Sequence, residues 1–259
     1  MNTQFAFVLF DHTTEATPEN LRPASSFQAM IDAWTEGLTG DFANAYGEVF
    51  VSFRVAASPD DRKPAEIGIH FRDTIPEAPG ALAYHQVVGG VPDIEIGCDL
   101  FSTVLTGTES MCMGGDHEIK ETIGDPGGNR WNDRQDASQT MDAGELCDMV
   151  QNTGKHASNG AMLSNFLLPN AFIPGATGPW DNMGVMSAQY DVSNGYGIVA
   201  DSPQTENQIG GMSKGMRLPV RVRVVGKLSE KQAKRKNAST SRTLRRGVHA
   251  EHVKAITVK

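Results

Sequence analysis

An uncharged run of small and apolar residues, Ser110-Met111-Cys112-Met113-Gly114-Gly115, passes without a break into Asp116-His117-Glu118-Ile119-Lys120-Glu121. The first half belongs in a core, so a helix that carries both halves takes its carboxylates inside with it. Carboxylates buried beside a histidine need a cation or a dense set of donors to offset their lost hydration. A fold built on this chain must therefore provide a charged interior and keep it neutral.

Helical spacing sorts these residues. His117 and Glu121 stand four apart and project from one face, and Asp125 follows one turn later at the helix end. Glu118 is rotated from His117 by roughly 100° about the axis, where a carboxylate can polarise a metal-bound water. The pattern His-Glu-x-x-Glu suits zinc, because carboxylate oxygen and imidazole nitrogen bind that ion at similar distances. The extra carboxylate makes the site harder, which leaves manganese or calcium as alternatives. Two residues compete as third ligand: Asp125, whose other reading is a cap on the Gly127-Gly128 turn, and Glu145, which arrives from a distant segment.

At 259 residues, with 39% hydrophobic and 21% charged content, the chain has the makings of a soluble globular protein, and 27 Gly with 13 Pro predict long loops. Cys98, Cys112 and Cys147 have no paired short spacing, which argues against a disulfide framework and for a reducing cytoplasm. Cys147 reads as a small buried hydrophobe. The amino terminus lacks the basic start and cleavage site of a signal peptide, and no segment reaches the roughly 20 apolar residues of a membrane span. Charge divides the chain in two: residues 1–213 hold 9 Lys+Arg against 29 Asp+Glu, whereas 214–259 hold 14 against 2. An acidic body with a basic extension points to an anionic partner, either nucleic acid or the acidic surface of another subunit.

Along the chain, the all-apolar residues 5–10 predict a buried first strand. Phe27, Met30, Ile31, Trp34 and Leu38 recur at helical spacing from a Ser25 or Ser26 cap up to Gly40. Residues 49–55 and 66–72 read as neighbouring strands across the Ser58-Pro59-Asp60-Asp61 turn, and 81–85 and 93–98 as two more joined at Gly89-Gly90. The central helix is expected over about 108–124, capped by Thr106 or Thr108 and stopped by Gly124 and Pro126. This order predicts an α+β fold, a mixed and mostly antiparallel sheet under the motif helix, followed by a loop-rich half. Residues 217–225 alternate like an edge strand with a basic outer face.

The ordered set Gly80-Ala81-Leu82-Ala83-Tyr84-His85, His117-Glu118-x-x-Glu121-x-x-x-Asp125-Pro126-x-Gly128-Asn129, Glu145-x-Cys147-Asp148 and Ser164-Asn165-Phe166-x-x-Pro169 resembles a family of zincin-like proteins encoded by bacteriophages and prophages. The basic Arg242-Thr243-Leu244-Arg245-Arg246-Gly247 is similar to that family's ending, so the resemblance spans about residues 76–250. Ala83, Asn165 and Met149 depart from its pattern without removing a candidate ligand. The resemblance implies a zincin-like fold, which with the charge division makes a zincin-like domain over 1–213 and a basic extension over 214–259. It also implies a zinc-dependent peptidase in which Glu118 activates water and His85 takes a substrate-side or oxyanion-stabilising role. The alternative in another class is a structural component of the phage particle, made in the host cytoplasm, whose ion serves stability and whose partners are other virion proteins.

Overall fold

The computed structural model describes residues 4–128, 130–135, 141–200 and 206–210, and the basic segment 214–259, with its strand-like residues 217–225, lies outside the described residues. The fold is α+β, with a mixed five-stranded sheet at its centre. Strand β1, Gln4–Asp11, is apolar at odd and even positions alike, and such a strand has to be covered on both faces. It accordingly occupies the interior of the sheet, between β2 (Phe50–Val55) and β3 (Ile67–Arg72). Beyond β3 come β5 (Val91–Gly97) and then the edge strand β4 (Ala83–Val88).

Three of the four pairings in this sheet are parallel, β1 with β2, β1 with β3 and β3 with β5, and the β4–β5 hairpin is antiparallel. The expectation of a mostly antiparallel sheet is corrected here, as is the pairing of strands 49–55 and 66–72, which β1 separates. The parallel β1–β2 pair has a local cause: the long connection from β1 to β2 carries helix α1, Phe27–Gly37, and a helical crossover returns the chain parallel. The Gly89-Gly90 turn is as expected, with both glycines at positive φ, 61° and 87°.

Helix α1 buries Phe27, Met30, Ala33 and Trp34 against the face formed by Phe7, Leu9, Ile69, Phe71, Ile94 and Ile96. It ends earlier than its apolar spacing predicts. A wider π-type turn, Leu38–Phe42, kinks at Gly40 and leads into the short α2, Ala43–Tyr46. Helix α3, Met111–Gly124, packs on the same layer. Its cap is Ser110, whose hydroxyl accepts from the Met113 amide at 3.2 Å, in place of Thr106 or Thr108. The indole of Trp34 donates to the Cys112 carbonyl at 2.9 Å, and a Cβ on Gly115 would meet the Trp34 ring at 2.6 Å. Gly115 is what lets α1 and α3 approach, while Gly114 makes room for the Phe101 ring, which a Cβ there would meet at 2.7 Å.

The opposite face of the sheet is polar. Val8 and Phe10 are buried there beneath a layer of ion pairs: Arg54 with Glu66 and Asp61, Arg62 with Asp93, and Arg72 with Glu95. The His70 ring lies on Phe10 with centroids 4.8 Å apart. The sheet thus has one helical layer, and long side chains cover its other side.

After α3 the chain forms short pieces: β6 (Trp131–Asp133), β7 (Met141–Ala143), β8 (Gly154–His156), β9 (Met162–Ser164), β10 (Tyr196–Ala200) and β11 (Glu206–Gly210). They make a four-stranded antiparallel sheet ordered β11-β10-β7-β6 and a β8–β9 ribbon. A buried pair ties the ribbon to α3. Lys120 Nζ lies 2.5 Å from Asp116 Oδ2 and 2.7 Å from the Ser164 carbonyl, while the same Asp116 oxygen accepts from the Ser164 amide at 2.7 Å. No described helix is long and apolar enough to cross a membrane.

Two expected outcomes test this architecture. Lys120→Met strands Asp116 without its cation and should cost about 3–5 kcal/mol in denaturant unfolding; a loss below 1 kcal/mol would show that the pair is dispensable. Glu66 is held at about 2, below its ordinary 4.5, chiefly by the Arg54 hydrogen bond. A carboxylate so depressed stabilises the fold above 4.5 and loses that contribution as pH falls towards 2. Glu66→Gln should therefore lower the melting temperature at pH 7, and the difference from wild type should fade as pH is lowered through this window.

Candidate metal centre

Helix α3 runs beneath β4 and β5 with its charged turn under the edge of the sheet. His117 Nε2 stands 3.4 Å from Glu121 Oε1 and 3.2 Å from Asp148 Oδ1. On the adjoining face, Glu118 Oε2 is 2.9 Å from Nδ1 of His85, a buried residue of β4. Glu121 Oε2 lies 3.6 Å from the same nitrogen, and Glu145 Oε2 is 4.0 Å from His85 Nε2. Glu118, Glu121, Glu145 and Asp148 are all buried, with exposures of 6%, 2%, 4% and 3%.

The segment that brings Glu145 and Asp148 is anchored from both sides. The Cys147 amide donates to Glu121 Oε1 at 3.1 Å, and a Cβ on Gly124 would meet the Leu146 side chain at 2.4 Å. Behind it passes the start of β10. Gly195 has no room for a side chain, since its Cβ would lie 2.0 Å from the Asp148 carbonyl. This close approach places Tyr196 with its phenol donating to Asp148.

Charge is strained throughout the cluster. Burial alone would drive the His117 proton off, but the Glu121 charge and the bonds to Asp148 and Glu121 outweigh it and hold the imidazole well above its usual range. Burial and then the Glu145 charge push Glu121 well up, and the same two causes raise Asp148. Glu118 is the exception: burial opposes its charge, but the His85 bond and the nearby His117 hold it down as a carboxylate. The Cys147 thiol is pushed up by burial, as expected of an inert sulfur.

Two overlapping groups have ligand atoms within 4.8 Å of one another, His117 with Glu121 and Asp148, and His85 with Glu118 and Glu121. Bonds of about 2.0–2.1 Å at tetrahedral angles set neighbouring ligand atoms about 3.3 Å apart. The first group, with 3.4 and 3.2 Å, already has that spacing. Its imidazole and carboxylate donors fit zinc or manganese, and the imidazole counts against calcium.

Of the residues marked in the sequence, His117, Glu118, Glu121, His85 and Glu145 meet in this cluster. Asp125 does not. Its Oδ2 accepts from the Arg130 amide at 2.6 Å and its carbonyl from the Gly128 amide at 2.9 Å, which closes the turn after α3. Asp148 stands with His117 and Glu121 in the first group, and Glu145 Oε2 lies 4.0 Å from His85 Nε2. Asp148 had a local signal, an acidic residue three after Glu145 within one apolar patch. Tyr196 had none, because it enters from a Gly- and Asn-rich stretch 48 residues further on. A cleft of about 510 Å³ at the ends of β1 and β2, beside His12 and Phe27, contains none of these residues.

No family model, curated protein or solved structure matches the chain. The reading of the cluster therefore rests on its own geometry.

Tyr196 supplies a test. As the outer partner of a ligand carboxylate it should be worth about 10–100-fold in metal affinity. Tyr196→Phe is expected to weaken zinc binding by that factor in a competition titration, with the melting temperature of the chelated protein little changed. Unaltered affinity would remove Tyr196 from the centre.

Proposed function

We propose that the protein is a metal-dependent hydrolase of zincin-like type that cleaves peptide bonds. The observation that carries this reading is the division of one helix into a ligand face, His117 and Glu121 turned to Asp148, and an adjacent carboxylate, Glu118, held by His85. A divalent ion, zinc first, bound by His117, Glu121 and Asp148 would supply Lewis acidity and a water of lowered pKa. Glu118 is the base. Its depressed pKa keeps it ready to accept a proton, and the 2.9 Å bond from His85 fixes its direction. His85 acts through Glu118 as a positioning residue.

A peptide is the substrate class that the surrounding fold supports. Strand β4 is the edge of the five-stranded sheet and carries His85, so an extended chain laid along β4 would pass over Glu118. The resemblance to phage-encoded zincin-like proteins supports the same class, and the net +12 on 214–259 supports attachment to an anionic partner.

The test is Glu118→Gln in the full chain. Wild type loaded with one equivalent of zinc should hydrolyse an unfolded protein substrate, and the variant, loaded in the same way, should be about 10²–10⁴-fold slower while still binding the ion held by His117. Absence of hydrolysis by zinc-loaded wild type, or a variant as fast as wild type, would overturn the assignment.

A further inference from the structure

We infer that the centre is built for two divalent cations bridged by Glu121, the second held by His85, Glu118 and Glu121. This rests on the metal centre proposed above and extends it by one site. Glu121 turns one oxygen to each imidazole: Oε1 lies 3.4 Å from His117 Nε2, and Oε2 lies 3.6 Å from His85 Nδ1. A carboxylate presented in this way bridges ions about 3.5–4 Å apart, the spacing of two-metal hydrolytic sites. Each ion then has three protein donors, and the two sets share only Glu121.

Spacing in the second set is near what an ion needs. His85 Nδ1 lies 2.9 Å from Glu118 Oε2 and 3.6 Å from Glu121 Oε2, values on either side of the roughly 3.3 Å expected between ligand atoms of a zinc-sized ion. Glu145 Oε2 lies 4.0 Å from the other nitrogen of His85, close in charge but beyond direct hydrogen-bond reach.

Charge points the same way. Once ionised around an ion, Glu118, Glu121, Glu145 and Asp148 bring four negative charges into a buried site, and the buried lysine among the described residues, Lys120, is committed to Asp116 and the Ser164 carbonyl. With neutral imidazoles, one divalent ion matches half of that charge in a site of low dielectric, whereas two ions match all of it. Glu118 is then a base in the singly loaded centre and a ligand in the doubly loaded one.

The experiment is metal stoichiometry on the full-length chain, stripped with a chelator, dialysed against zinc and analysed for metal per chain. Wild type should hold two zinc ions, His85→Gln one and His117→Gln one, with circular dichroism of the stripped proteins confirming the fold. Should His85→Gln not fold, Glu118→Gln takes its place and should likewise hold one. Manganese loading adds a test of the bridge, since two ions sharing Glu121 give an exchange-coupled paramagnetic resonance spectrum. A single zinc in wild type, a second zinc that survives both His85→Gln and Glu118→Gln, or uncoupled manganese would overturn the second site. A chain that binds no zinc would overturn the proposed hydrolase as well.

Discussion

Burial of charge on α3 is the constraint on which the rest of this molecule depends. Ten of the fourteen residues of α3 are buried, among them Asp116, Glu118, Lys120 and Glu121. An amphipathic surface helix would leave such side chains in water, and here the sheet, α1 and the β8–β9 ribbon close around them. Close approach from α1 is possible because Gly115 has no side chain. A larger residue at 115 would displace Trp34 and loosen the layer that excludes water from the carboxylates. The polarity of the interior and the smallness of the preceding residues are therefore parts of one arrangement.

Much of this was legible locally. The α+β class, the buried first strand, the Gly89-Gly90 hairpin and the charged central helix all follow from short-range pattern, and the structure has each of them. Strand order did not follow, because adjacency in sequence was taken for adjacency in space. Residues 5–10 carried the missing signal: a strand apolar at both parities needs neighbours on both edges and cover on both faces, which forces β1 between β2 and β3. The cap of α3 was obscured by several hydroxyl residues before Met111, and Ser110 has Met113 where a capping-box glutamate would have marked it.

The site was legible where one helix carries it and opaque where tertiary contacts complete it. His117 and Glu121 are fixed by the 3.6-residue period, and Glu118 by its place between them. Asp125 fits the same period, but the helix ends there, and a carboxylate at a helix terminus is more readily satisfied by backbone amides of the following turn. Asp148 reaches His117 only because the Cys147 amide binds Glu121 and Leu146 packs on Gly124. No periodicity encodes such a contact between segments 26 residues apart.

One helix thus carries two buried charged groups that are neutralised by different means. Asp116 and Lys120 stand four residues apart and cancel each other, aided by both polar groups of the Ser164 backbone, so that group serves to fasten α3 to β9. His117, Glu118 and Glu121 face Asp148, His85 and Glu145, and the described residues around them bring no cationic side chain other than the histidines. Had the fold required only a stable interior, a second lysine or apolar side chains would have served better than a cluster of like charges, since replacing buried ions by packed hydrocarbon is commonly neutral or stabilising. The fold carries that electrostatic cost on the face of α3 turned to β4 at the sheet edge, and it places the self-neutralised pair on the face turned to the ribbon. The asymmetry separates the pair that fastens α3 to the ribbon from the cluster whose burial stability alone does not explain.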